Sequence, residues 1–140
     1  MTDITHRLAR PAALILASMM LLALAACSAG ASASATGGQC AEADADGVIA
    51  ISAQNLRFNT SCLVAPAGTA FTVRLTNNDG EPHEVAIFRD AGYSDPIVKG
   101  DLFSGPDVTK DLDVTALDTG TYYFQCIVHP ADMKGTLTIR

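Results

Sequence analysis

From Gly47 to Arg140, apolar and polar residues alternate with a period of two, the mark of half-buried strands rather than of helices. Val48, Ile49 and Ile51 open one run, Phe71, Val73 and Leu75 a second, Val85 and Ile87 a third, and Leu112 and Val114 a fourth. Gly120 to Cys126 puts Tyr122, Phe124 and Cys126 on one face, and Leu137 and Ile139 alternate in a last run. Turn signals separate these runs: Pro66 to Gly68, Asn77 to Gly80, Asp90 to Gly92, Ser104 to Pro106 and Asp118 to Gly120. Short strands punctuated in this way predict an all-β sandwich or barrel. No stretch in the region carries the pattern of an amphipathic helix. Tyr93 to Phe103 fits a loop, a turn of helix or an irregular edge strand.

Ahead of this region the pattern changes. Arg7 and Arg10 precede an apolar stretch from Ala12 to Ala26 that is broken only by Ser18, short for a membrane span and suited to an export signal. Leu24-Ala25-Ala26-Cys27 resembles the bacterial lipobox, in which the cysteine receives a diacylglycerol and becomes the mature N-terminus. Ordinary signal cleavage, with Cys27 incidental, is the alternative. Ser28 to Gly38 holds only Ser, Ala, Gly and Thr, so it has nothing large to bury. The expected organisation is a signal peptide over 1–26, a lipidated Cys27 with a flexible linker over 27–46, and a folded domain over 47–140. As a coil, the linker spans roughly 25 Å. These features predict an exported protein held at a membrane by N-terminal lipid and facing the periplasm or the extracellular side.

Charge narrows the partners. Beyond residue 26 there are seven Lys and Arg against fourteen Asp and Glu, a net charge of −7. The positive residues never cluster, which argues against nucleic acid. Asp90, Asp95, Asp101, Asp107, Asp111 and Asp113 read first as an ordinary solvated surface, with a docking face toward a basic partner as the alternative.

The scarce residue types point to chemistry. An exported chain meets an oxidising compartment, where free thiols are unusual. With Cys27 assigned to lipid and Cys126 set apart by its neighbours, Cys40 and Cys62 can pair. That bridge ties the entry of the domain to its second strand and is worth roughly 3 kcal/mol. The alternative is a lone buried Cys62 and a Cys40 left in the linker. Past the signal the chain keeps two histidines, His83 and His129, and one methionine, Met133. Cys126, His129 and Met133 fall within eight positions. Each alone has a bland account as core filler, surface imidazole or buried thiol. Their grouping calls for a soft cation, because His2Cys with a weak axial Met is the ligand set of blue-copper sites, whereas zinc prefers four strong ligands.

Two stretches, Asn77 to Phe88 ("NNDGEPHEVAIF") and Gly120 to Ile139 ("GTYYFQCIVHPADMKGTLTI"), resemble those of the cupredoxins, in particular the plastocyanin-like small blue copper proteins. The likeness covers about the last 95 residues. It implies a Greek-key β-sandwich with one type 1 copper ion at one end, bound by His83, Cys126, His129 and an axial Met133. It places Tyr122 in a corner motif with a packing role. The chain departs from the plastocyanin pattern twice: three residues separate His129 from Met133, and Glu84 stands where plastocyanin has Asn. An ionised carboxylate cannot donate hydrogen bonds, so the link that Asn makes to the cysteine loop is not carried over.

The function this implies is a membrane-anchored carrier of single electrons between redox proteins of the cell envelope, such as a cytochrome or a copper enzyme. His129 would be the electron port. No catalytic group and no small-molecule substrate is implied. The second reading is an envelope copper chaperone or buffer. An oxidase or nitrite reductase module would need further histidines for another copper centre.

Overall fold

The structure, a computed structural model, describes residues 39–140. The expected signal segment, the lipid site at Cys27 and the linker as far as Gly38 lie outside the described residues. The described chain forms strands β1 (Ala41–Glu42), β2 (Val48–Gln54), β3 (Arg57–Phe58), β4 (Cys62–Ala65), β5 (Phe71–Asn77), β6 (Pro82–His83), β7 (Ala86–Phe88), β8 (Pro96–Lys99), β9 (Phe103–Ser104), β10 (Val108–Val114), β11 (Gly120–Gln125) and β12 (Lys134–Ile139). There is no helix among the described residues. The alternating runs predict an all-β sandwich or barrel, and the sandwich that the resemblance implies is the fold observed.

One sheet runs in the order β1-β4-β12-β11-β7-β8, a second in the order β10-β5-β2-β3, and β6 pairs with β9 alone. Strands distant in sequence lie side by side, with β4 parallel to β12 and β2 parallel to β5. Chain crossovers of this kind are what a Greek-key sandwich requires.

The period of two in the sequence becomes burial. Along β5, Phe71, Val73 and Leu75 are buried while Arg74 faces solvent, and in β2 Ile49, Ile51 and Ala53 are buried. Leu63 and Ala65 of β4, Phe124 of β11, and Leu137 and Ile139 of β12 meet them from the other sheet in one cluster. Fully burying a side chain of this size is worth about 1.5–3 kcal/mol, so the alternating residues supply the main force closing the sandwich. Phe58 packs its ring 5.5 Å from that of Phe124. Opposite Phe124 on β12 is Gly135, where a Cβ would collide with the Ser61 carbonyl and the Phe124 ring. Only a glycine lets the chain entering β4 approach so closely.

Residues 39–46, read from sequence as the end of the linker, belong to the folded body. Cys40 is bonded to Cys62, closing a loop with a separation of 22 residues. Beside the bridge, β1 pairs in parallel with β4, and Asp44 accepts hydrogen bonds from the backbone of Asp46 and Val48. A two-residue strand has no period to read, and here a covalent bond takes the place of apolar burial. The stretch from Tyr93 to Phe103 contains edge strand β8 and, after an irregular connection, reaches the start of the short β9. Its register against β7 shifts between Ile87 and Phe88.

Asn77, fully buried at the end of β5, joins the elements around the end of the sandwich. Its Nδ2 donates to the Glu81 carbonyl at 2.8 Å and the Phe103 carbonyl at 3.0 Å, and its Oδ1 accepts from the Asp79 N–H at 2.8 Å. Gly105 closes against the same loop, its N–H bonded to the Asp79 carbonyl at 3.1 Å. A Cβ at Gly105 would strike the Asn77 and Asp79 carbonyls. Replacing Asn77 by Ala strands these groups away from water, so urea unfolding of the metal-free Asn77→Ala variant is expected to show a loss of about 2–3 kcal/mol. A change within about 0.5 kcal/mol, typical of a surface position, contradicts this role.

Candidate metal centre

Three separate pieces of chain deliver the candidate ligands. His83 ends β6 and pairs with Phe103 of β9, which places it between β5 and β7. Cys126 follows β11 directly, and Met133 directly precedes β12. The β11–β12 ladder ends at Gln125 opposite Lys134, and one further bond, Cys126 N–H to the Met133 carbonyl at 2.8 Å, extends it by a position. Residues directly opposite in an antiparallel pair project to the same side. Cys126 and Met133 therefore share the inward face of Phe124, and both are fully buried. The six residues between them fold back on themselves, with His129 N–H donating to the Cys126 carbonyl and Met133 N–H to the His129 carbonyl, both at 3.1 Å. Gln125 Nε2 donates to the Pro130 carbonyl at 3.2 Å and pins the loop from beneath.

The donor atoms of His83, Cys126 and His129 lie within 4.8 Å of one another. Cys126 Sγ is 4.0 Å from His83 Nδ1 and 3.7 Å from His129 Nδ1. The two imidazole rings are 4.9 Å apart between centroids. His83 and Cys126 are fully buried and His129 is half-buried. A metal bonded at about 2.0–2.3 Å to a nitrogen and a sulfur at a trigonal angle sets them about 3.8 Å apart. The observed separations are long for ordinary hydrogen bonds and match that bridge. Two imidazoles gathered around a thiol, with the thioether of Met133 on the same face as that thiol, suit one type 1 copper ion.

Asp79, unassigned in the sequence reading, completes the surroundings of His83. Its Oδ2 lies 3.0 Å from His83 Nε2. The Asn55 N–H and then the Leu56 N–H hold its carboxyl below the usual value, and His83 adds to them against the opposing effect of burial. An ionised carboxylate only accepts hydrogen bonds, so this contact calls for a proton on Nε2, while Nδ1 faces Cys126 Sγ at 4.0 Å.

Glu84 is buried, its Oε2 has no hydrogen-bond partner, and the nearest cation is Lys99 Nζ at 3.6 Å. No hydrogen bond joins Glu84 to the ligand loop among the described residues. Gln125 holds the loop instead. Tyr122 donates its hydroxyl to the Asp118 carbonyl at 3.1 Å, a corner contact consistent with a packing role. Several of the acidic candidates for docking are engaged locally: Asp111 with Arg74, Asp113 with Thr72, and Asp90 with the backbone of Gly92, Ser94 and Asp95. Ile127, Val128 and Leu102 are exposed, the first two within the ligand loop.

The chain is similar in structure to auracyanin from Roseiflexus castenholzii, at a TM-score of 0.59 and 22% identity over 69% of this chain and 99% of that one. Auracyanin A of Chloroflexus aurantiacus, described as a "blue" copper protein, aligns at a TM-score of 0.57 and 22% identity over 66% of this chain and 98% of that one. A reduced tryptophan-to-tyrosine mutant of amicyanin aligns at a TM-score of 0.51 and 25% identity, covering 69% and 86% of the two chains. No curated protein matches the sequence. The model of the cupredoxin-like domain matches residues 14–139, nearly the whole length. The chain therefore belongs to the cupredoxin-like domain family.

Proposed function

We propose that this protein is a type 1 copper electron carrier rather than an enzyme, with His83, Cys126 and His129 as its strong ligands and Met133 as the weak axial one. The observation that carries this reading is the buried His83, Cys126 and His129 cluster, with sulfur to nitrogen separations of 3.7 and 4.0 Å. The comparisons support it: auracyanin A is described as a blue copper protein, and amicyanin appears in reduced Cu(I) and oxidised forms.

Bound copper supplies a one-electron couple at the end of the sandwich. The chain's own residues do the rest. Cys126 gives the thiolate, kept from water and from disulfide exchange by complete burial. His83 is fixed from beneath by Asp79. His129, half-buried between exposed Val128 and Pro130, forms the path by which an electron leaves the site. Exposed Ile127 and Val128 suit transient contact with a redox protein, since apolar side chains shed water without requiring matched charges. None of these roles requires an acid, a base or an open substrate position. An envelope chaperone or buffer is the competing reading, and burial of the thiol argues against it.

Lipid attachment at Cys27 extends the proposal to place the carrier at a membrane surface outside the cytoplasm, close to membrane-bound partners. Mass spectrometry of the mature protein from membranes is expected to show Cys27 as the acylated first residue. An unmodified N-terminus produced by cleavage elsewhere contradicts the anchor and leaves the copper site unaffected.

Reconstitution with Cu(II) is expected to give an intensely coloured protein that is reduced and reoxidised by one electron. The Cys126→Ser variant should fold, keep the Cys40–Cys62 bridge and lose the colour entirely. Rapid loss of Cu(I) to a chelator, with no reversible reduction, overturns the carrier in favour of copper handling.

A further inference from the structure

The turn joining β2 to β3 contains two consecutive non-glycine residues with left-handed backbone, Asn55 at φ 55° and Leu56 at φ 57°. Asn tolerates this conformation, but for Leu it costs about 1–2 kcal/mol. Strain of this kind persists where surrounding groups over-determine it, and such places cluster at functional sites. Here the determinant is Asp79. Its Oδ1 accepts from the Asn55 N–H at 2.8 Å, and its Oδ2 accepts from the Leu56 N–H at 3.1 Å and from His83 Nε2 at 3.0 Å. Asp79 is itself fixed by Asn77 Oδ1 on its own N–H and by the Gly105 N–H on its carbonyl. The carboxylate is mostly buried and the imidazole wholly so. Through its side chain and its backbone, this one residue thus ties the β2–β3 turn, the loop after β5 and the β9 end to one histidine.

We propose that Asp79 is a positioning residue of the copper site: it holds His83 in the Nε2–H tautomer with Nδ1 directed at Cys126, and its charge strengthens the imidazole as a donor to oxidised copper. The proposal rests on the copper reading above. A carboxylate accepting the far N–H of a ligating imidazole fixes ring orientation and raises ligand basicity, and loss of such a partner typically weakens metal binding about 10–100-fold. An added negative charge beside a cation favours its more highly charged state. Asp79 should therefore act mainly on Cu(II) affinity and lower the reduction potential. A residue serving only to hold the turn would affect stability and leave the ratio of Cu(II) to Cu(I) affinities unchanged.

Two measurements test this. In the metal-free wild type at neutral pH, nitrogen-15 NMR of the imidazoles is expected to show His83 protonated on Nε2 with a slowly exchanging proton. Finding the proton on Nδ1 overturns the proposal without any variant. In copper-loaded protein, Asp79→Asn keeps the size and one acceptor oxygen but removes the charge. It is expected to weaken Cu(II) binding about 10–100-fold in chelator competition, weaken Cu(I) binding much less, and raise the potential. The double variant Asn55→Gly with Leu56→Gly relieves the turn and keeps the carboxylate, so both affinities should stay within about twofold of wild type, far inside the 10–100-fold effect of losing an outer partner. An Asp79→Asn protein with wild-type potential and affinity ratio, even if less stable, reduces Asp79 to a structural clamp and overturns the proposal. A wild type that never takes up copper with an intense visible band overturns the copper reading itself.

Discussion

One backbone hydrogen bond, from the Cys126 N–H to the Met133 carbonyl, sets the geometry on which the site depends. It continues the ladder between the last two long strands by one position and so decides which way both sulfur side chains point. A slip of one residue in that register would put Cys126 and Met133 on opposite faces of the sheet, since side chains alternate faces with a period of two. The register is held by Phe124 and Leu137 in the core and by Gly135, which admits the close approach of the chain before β4. Core packing and ligand placement are therefore a single constraint.

That coupling explains why the site can be built almost wholly from buried groups. Cys126 and Met133 belong to the same apolar cluster as Ile49, Leu63 and Val73, so the sandwich that excludes water from its interior also excludes it from the thiol. The polar members are admitted only with partners. Asn77 is satisfied on three sides and His83 is bonded to Asp79, as buried polar groups generally must be. Glu84 is the exception, a buried carboxylate with an unpartnered oxygen and only an exposed lysine within reach. His129 alone among the candidate ligands is partly open to solvent, which separates the side that holds the ion from the side where exchange can occur.

The longer strands were legible because seven residues with every second one buried, as in β2 and β5, leave an unmistakable alternation. The two-residue strands β1, β3, β6 and β9 were not, since a period cannot be read from a single repeat and their pairing is imposed by the disulfide, a tight turn and Asn77. At the site, the spacing of Cys126, His129 and Met133 was visible as a cluster of scarce types, and His83 through its resemblance to a known segment. Asp79, Asn77 and Gln125 were passed over because carboxylates and amides are common on surfaces, and nothing in their neighbours distinguishes a buried one. The nearest signal was the Asn-Asn-Asp run four residues ahead of His83, legible as a turn and silent about what its side chains hold.

If the sandwich places the donor atoms before any metal arrives, the ion adapts to the protein and little has to move when an electron is gained or lost. The most direct measurement is a set of crystal structures of the metal-free, Cu(I) and Cu(II) protein. His83 Nδ1, Cys126 Sγ and His129 Nδ1 should keep their places to within about 0.5 Å, the tolerance of a preorganised site. An imidazole that swings away from Cys126 in the metal-free or reduced form would show that the ion, and not the strands, assembles the centre.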